Sequence, residues 1–153
     1  MAGVGAISQF KKQRAHIMNS IYENIEDGIE FIGADPGGDS EAFLSLATGE
    51  VYYRSDYVDE EPLPDDIGDK SKYIALPHKR ELNLGVVMVF KFVDKRLPNK
   101  ASEVRAIFKK RGAYSRFSDW LNRHNLVDDW HQFREQTTKK AILAWCKENG
   151  INV

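Results

Sequence analysis

The chain has 153 residues, of which 42% are hydrophobic, 11% aromatic and 29% charged. This is one domain's worth of core-forming sequence, and it excludes a disordered chain, a collagen-like chain and a small disulfide scaffold. The formal net charge of −1 names no partner, and a single cysteine closes no internal disulfide.

The N-terminal charges Lys11, Lys12 and Arg14 follow the small apolar stretch 2–10, the reverse of a secretory signal. Ile7 to Asp27 reads as an amphipathic helix. Ile7, Phe10, Ile17, Ile21 and Ile25 recur at steps of one helix face, Ser8 offers a cap and Gly28 a stop. Residues 33–39, Gly-Ala-Asp-Pro-Gly-Gly-Asp, are turn chemistry. Two short runs follow, Ala42–Leu46 and Val51–Arg54, separated by Thr48-Gly49-Glu50, which predicts a hairpin. Residues 56–72 are acidic, hold Pro62 and Pro64, and read as a loop with a helical turn near Asp65. Tyr73–Leu76 is a third strand, stopped by Pro77.

Leu82 to Leu97 suits either a buried strand or a helix, and helix is the reading taken. Its Val86–Phe90 core is apolar on every side, so it is expected either at the centre of the monomer or in a homodimer interface. The uncharged stretch Leu82–Phe90 is nine residues, against about 20 needed to span a bilayer. Beyond Pro98 the chain is helical. Asn99 or Ser102 would cap a helix that carries Val104, Ile107 and Phe108 and stops at Gly112. Ala113 to about Arg123 forms the next, with Tyr114, Phe117, Trp120 and Leu121 on one face. The last begins near Asp128 as N-cap and ends at Gly150.

The small net charge conceals a division. Residues 35–66 hold ten acids and one base, a charge of −9, whereas 79–153 hold sixteen Lys and Arg against eight Asp and Glu, a charge of +8. Such asymmetry marks either mutual attraction in the fold or surfaces for partners. The candidate acidic partner surface is Asp56, Asp59, Glu60, Glu61, Asp65 and Asp66. The candidate anion or partner surface is Lys109, Lys110, Arg111, Arg116, Arg123 and Arg134, where bases interleave with an aromatic at a helix–helix junction. Arg116 and Asp119, three apart, are expected to pair, partly buried near Trp120, Trp130 or Phe133.

Other constellations are weaker. No P-loop or GxGxxG pattern is present, and Asp35, Asp39 and Glu41 lack the spacing of an EF-hand. Asp128, His131 and Glu135 share one helix side, which a solvated face explains as well as a metal site does. Cys146 reads as a small core residue, with no activating base nearby.

The pattern Arg111-Gly112-Ala113-Tyr114-x-Arg116-Phe117-x-Asp119-x-Leu121, then Trp130-x-x-Phe133-Arg134, then Ala144-Trp145-Cys146-x-x-Asn149-Gly150-Ile151, resembles a bacterial family numbered 0158 in the uncharacterised protein family series. Thr48-Gly49-Glu50-Val51 and Tyr73-Ile74-Ala75-Leu76-Pro77 resemble the same family's hairpin and third strand, and Met88–Phe92 departs from it by being longer and more apolar. The resemblance implies no activity; it draws attention to Arg111, Arg116 and Asp119 as parts of a shared element.

The expected fold is α+β: one domain over 1–153, with a helical segment 1–34, a small antiparallel sheet of about three strands with an acidic loop over 40–78, and a helical part over 82–151 packed as three to four helices. The expected function is a non-enzymatic binding or regulatory protein, cytoplasmic, without cofactor, catalytic or metal residues. Its partner is expected to be a protein, met through the acidic 35–66 segment, the basic 105–123 hairpin, or both. The alternatives are nucleic-acid binding by the basic hairpin, an enzyme acting on phosphate-containing substrates, and an inhibitor or immunity-type protein with an acidic mimic surface.

Overall fold

A helix opens where Ser20, in extended conformation, turns its hydroxyl back to accept the Glu23 N–H at 3.1 Å. In this computed structural model, which describes residues 20–55 and 62–153, helix α1 runs over Ile21–Gly33. Ser8, Ile7, Phe10 and Ile17 lie outside the described residues. Gly28 does not end α1; the helix continues through it for five residues. The reason is packing. A Cβ on Gly28 would stand 2.4 Å from Leu76 Cδ1 and 3.3 Å from Val51 Cγ1, so only glycine lets the helix lie this close to the sheet. Ile25, Ile29 and Ile32 complete the buried stripe.

The sheet has three antiparallel strands in the order β2-β1-β3, with β1 at Glu41–Ser45, β2 at Val51–Arg54 and β3 at Tyr73–Ala75. Phe43 pairs with Tyr52 on one side and with Ala75 on the other. The β1–β2 turn uses Gly49 at φ 77°, and its carbonyl accepts from Asn24 Nδ2 at 2.9 Å, tying α1 to the hairpin tip. Phe31 meets Tyr53 edge-on at 4.7 Å. The expected third strand keeps Leu76 in the ladder through its N–H to the Ala42 carbonyl at 2.8 Å, before Pro77 ends it.

The ambiguous apolar segment is a helix. Helix α2 covers Val86–Arg96, and it is not buried all round. Met88, Val89, Phe92 and Val93 face inward, while Val86 and Val87 are 37% and 43% exposed. Helix α3, Ala101–Ile107, follows a single turn over Pro98–Lys100. Neither Asn99 nor Ser102 caps it; Lys100 holds the cap position and makes no side-chain bond there. It ends at Ile107, before Gly112, which instead sits left-handed at φ 73° immediately ahead of α4, Ala113–Arg123. Helix α5 spans Val127–Glu148, so Asp128 lies in its first turn, where an acid suits the helix dipole. Its C-terminus is a Schellman closure on Gly150: Ile151 N–H meets the Cys146 carbonyl at 2.8 Å and Gly150 N–H the Lys147 carbonyl at 3.3 Å.

The described residues form two compact units, one of 20–55, 62–78 and 145–153, the other of 79–144. The first is the sheet with α1 on it, its core made by Ile25, Ile29, Ile32, Ala42, Leu44, Val51 and Leu76. The second is helical. Val89, Phe92, Val93, Val104, Phe117, Trp120, Leu121 and Trp130 form one buried cluster. Its rings interlock: Phe117 stands edge-on to Trp130 at 5.2 Å and stacks on Trp120 at 5.8 Å. Each such ring, fully buried, contributes roughly 1.5–3 kcal/mol. No helix among the described residues is long and apolar enough to cross a membrane.

Candidate functional site

The acidic and basic surfaces fall in different units and differ in how their charges are used. In the first unit, Asp35 is a buried acceptor for a loop. Its Oδ1 takes the Gly37 N–H at 2.9 Å, and its Oδ2 takes the Asp39 N–H, the Ser40 N–H and the Ser40 hydroxyl at 3.1, 2.8 and 2.7 Å. The Ser40 hydroxyl above all, then these backbone N–H groups, hold its carboxyl below the usual range against the opposing effect of burial. A proline- and glycine-rich turn has no ladder to satisfy its backbone, and Asp35 supplies the missing acceptor. That use accounts for Asp35 without a cation.

Asp56, Asp59, Glu60 and Glu61 lie outside the described residues. Of the remaining acidic candidates, Asp65 is exposed and Asp66 is engaged. Lys72 Nζ donates to Asp66 Oδ2 at 3.0 Å, and that bond, with one from Tyr73, holds the Asp66 carboxyl low. Desolvation first, and then the bond to Asp66, push the Tyr73 phenol up. Asp69 accepts the Ser71 hydroxyl at 2.6 Å and the Ser71 N–H at 2.9 Å, and these lower its carboxyl. The stretch 65–72 is thus folded around its own carboxylates.

The second unit carries fifteen Lys and Arg against seven Asp and Glu over 79–144, a charge of +8. Several of these bases have acids beside them: Arg96 pairs with Asp129, Lys100 with Glu103 at 3.8 Å, and Arg105 with Asp94 at 3.3 Å. Others, Lys91, Lys95, Arg123, Lys139 and Lys140, are exposed with no ion pair among the described residues, and the link from α3 to α4 gathers three such bases in succession. Lys109, Lys110 and Arg111 are exposed, and among the described residues none of them has an ion-pair partner. Arg116 curls back over the link: its guanidinium lies 3.5 Å from where a Gly112 Cβ would stand and donates to the Ile107 carbonyl at 3.2 Å. That bond satisfies an orphan carbonyl at the end of α3, one of the groups a helix C-terminus leaves open.

Arg116 therefore does not pair with Asp119. Both side chains point outward on α4, because Phe117, Trp120 and Leu121 occupy its inward face and leave no room there for a charged pair. Arg123 is exposed on the last turn of α4 and Arg134 on α5, where its guanidinium meets His131 Nδ1 at 3.2 Å. The structure thus brings Lys109, Lys110, Arg111 and Arg116 into one link, while Arg123 and Arg134 stand on the later helices.

Just past the link, in the first turn of α4, stands Tyr114, 59% exposed, its ring edge-on to Phe108 at 5.1 Å. Phe108 in turn meets Phe90 at 5.9 Å. Sequence reasoning placed Tyr114 on the core face of α4 because it falls one step from Phe117. The first turn of α4 lies outside the cluster, so the tyrosine tops it instead of entering it.

Among the described residues no group of three or more His, Cys, Asp or Glu could hold a metal ion. Asp128 and His131 are exposed with Glu135 on the outer side of α5. Cys146 is buried, and burial pushes its thiol up, away from the thiolate a nucleophile needs. Trp120 is fully buried with its Nε1–H unpartnered among the described residues, and its ring lies 4.4 Å from His124, whose Nδ1 meets the Trp120 carbonyl at 2.8 Å.

Compared with family models, curated proteins and solved structures, the chain finds no match in any of the three.

Proposed function

We propose that this is a non-enzymatic binding protein, of the regulatory kind, that contacts a macromolecular partner through the basic link between α3 and α4. The observation that carries the reading is the contrast within one unit. Arg96, Lys100 and Arg105 have acids a few ångströms away, whereas Lys109, Lys110 and Arg111 are three consecutive exposed bases close in the chain to Tyr114 with no ion-pair partner among the described residues; Lys91, Lys95, Arg123, Lys139 and Lys140 are also exposed and unpaired there, but stand apart along their helices. Clustered like charges repel, so a surface that keeps them together gains from an anionic partner. A mixed patch of arginine and tyrosine is also the composition that binding surfaces favour.

Retention on immobilised heparin, a polyanion, tests this. The wild-type chain is expected to be retained at low salt, and the triple variant Lys109→Glu, Lys110→Glu, Arg111→Glu to elute well before it. The reversal takes the unit from +8 to +2, so the control is Lys91→Glu, Lys139→Glu, Lys140→Glu, which makes the same change of charge away from the link and is expected to elute later than the link variant. Co-elution of the link variant with wild type or with this control would place the working surface elsewhere.

A further inference from the structure

The link is one end of a longer feature. Val86 and Val87 are exposed on α2 and lie one helical turn before Phe90, hence on its side of the helix. Phe90 is half-buried and meets Phe108; Phe108 meets Tyr114. Aliphatic and aromatic surface therefore runs from Val86 through Phe90 and Phe108 to Tyr114, all within the helical unit. Arg105 covers part of Phe90, its guanidinium 5.0 Å from the ring centroid. The carboxylate one turn beyond Phe90, Asp94, is taken by that same Arg105. At the Tyr114 end, Lys109, Lys110 and Arg111 have no ion-pair partner among the described residues.

We infer that this strip, from Val87 to Tyr114, seats an acidic protein segment that carries apolar side chains of its own. The inference rests on the basic link being the contact surface and adds the chemistry of the partner. Apolar middle and charged rim together are the anatomy of a protein–protein contact. At the Tyr114 end the rim is cationic and unpaired among the described residues, so the complementary segment is acidic there. The apolar middle tells against a nucleic-acid strand. Phe90 and Phe108 are spent on each other edge-to-face at 86°, which leaves Tyr114 as the one well-exposed ring of the strip, whereas a strand-binding groove stacks successive bases on successive faces. Val86 and Val87 offer aliphatic surface that a leucine or phenylalanine matches and a base or sugar does not.

Fluorescence anisotropy of the full chain with three labelled probes decides. The first is a glutamate-rich, helix-forming peptide with leucine and phenylalanine along one face. The second is the same peptide with those residues changed to alanine, and the third is a mixed-sequence single-stranded oligonucleotide. The first probe is expected to bind about tenfold more tightly than either of the others, a tenfold ratio being about 1.4 kcal/mol. Tyr114→Ala and Val87→Ser are each expected to weaken the first probe about five- to tenfold and to leave the second nearly unchanged, with far-UV circular dichroism as in wild type. The inference is overturned by an oligonucleotide that binds as tightly as the first peptide, by two peptides that bind alike, or by substitutions that leave the first peptide's affinity intact. If all three probes bind alike and all are lost in the Lys109→Glu, Lys110→Glu, Arg111→Glu variant, the partner's chemistry is wrong and the basic surface stands. If none binds at low salt, the surface falls as well.

Discussion

The loop around Asp35 and the link around Arg111 are both charged, both irregular, and both join two regular elements, yet they hold their charge for opposite ends. Asp35 takes four hydrogen bonds from its own loop. The bases at 109–111 take part in no ion pair among the described residues. A charge that replaces missing backbone partners is a structural part. Cations held in solvent just past the end of α3 gain only a small helix-dipole term and repel one another, and that difference in use, more than the −9 of 35–66 and the +8 of 79–153, is what the proposed contact surface rests on.

The largest expected effect sharpens the same contrast inside α2. Val89 is 1% exposed and Val87 is 43% exposed. Val89→Asp buries an unpaired carboxylate in the ring cluster and is expected to cost on the order of 4 kcal/mol or more, enough to unfold the helical unit. Val87→Asp is expected to stay within about 0.5 kcal/mol of wild type. Urea denaturation of both reads the difference, and near-equal costs would mean that α2 is not seated as described.

Next in size is Asp35→Ala, which strands four donors at once. A fall in Tm on the order of 5 °C is expected, against no measurable shift for Arg111→Ala. Equal behaviour of the two would break the comparison between loop and link.

The acid limb of stability follows from the same bonds. The carboxyls of Asp35, Asp66 and Asp69 are all held below their unfolded value of 3.8. Between the folded and unfolded values the unfolded chain binds more protons, so these groups contribute stability that is full above about pH 4–5 and is lost as pH falls through the lower folded values. Stability of wild type is expected to decline below about pH 4, and Asp35→Asn to show a shallower decline from a lower plateau. An identical acid slope in the two proteins would remove Asp35 from the account.

The smallest effect belongs to the outward pair. Arg116→Ala and Asp119→Ala are each expected to change stability by less than about 1 kcal/mol, with a double mutant that is the sum of the singles. A coupling energy above that would show that the two meet.

Much of this was legible in the chain. Thr48-Gly49 between two β-rich runs marks a hairpin, though not its register, helix α4 begins and ends where its pattern does, and Gly150 closes the last helix. The misreadings share a cause. Gly28 looks like a stop because a glycine's absent side chain has no sign of its own; that it admits Leu76 and Val51 is a tertiary fact. Val86–Phe90 looks uniformly apolar because composition does not say which valine faces the core. Arg116 and Asp119 sit at a pairing distance in sequence, but the Ile107 carbonyl, an orphan of another helix, competes for the guanidinium. The basic cluster was visible as residues. That its charges are unpaired, while Arg96, Lys100 and Arg105 are paired, depends on which acids the helices bring near.

Amide hydrogen–deuterium exchange of the full chain, with and without the glutamate-rich amphipathic peptide, tests the central claim most directly. Protection is expected at 107–117 and at Val86–Phe90, with no change around Asp35 and Ser40, whose bonds are already closed. Protection confined to 33–45 or 62–76, with 107–117 exchanging as in the free protein, would contradict it.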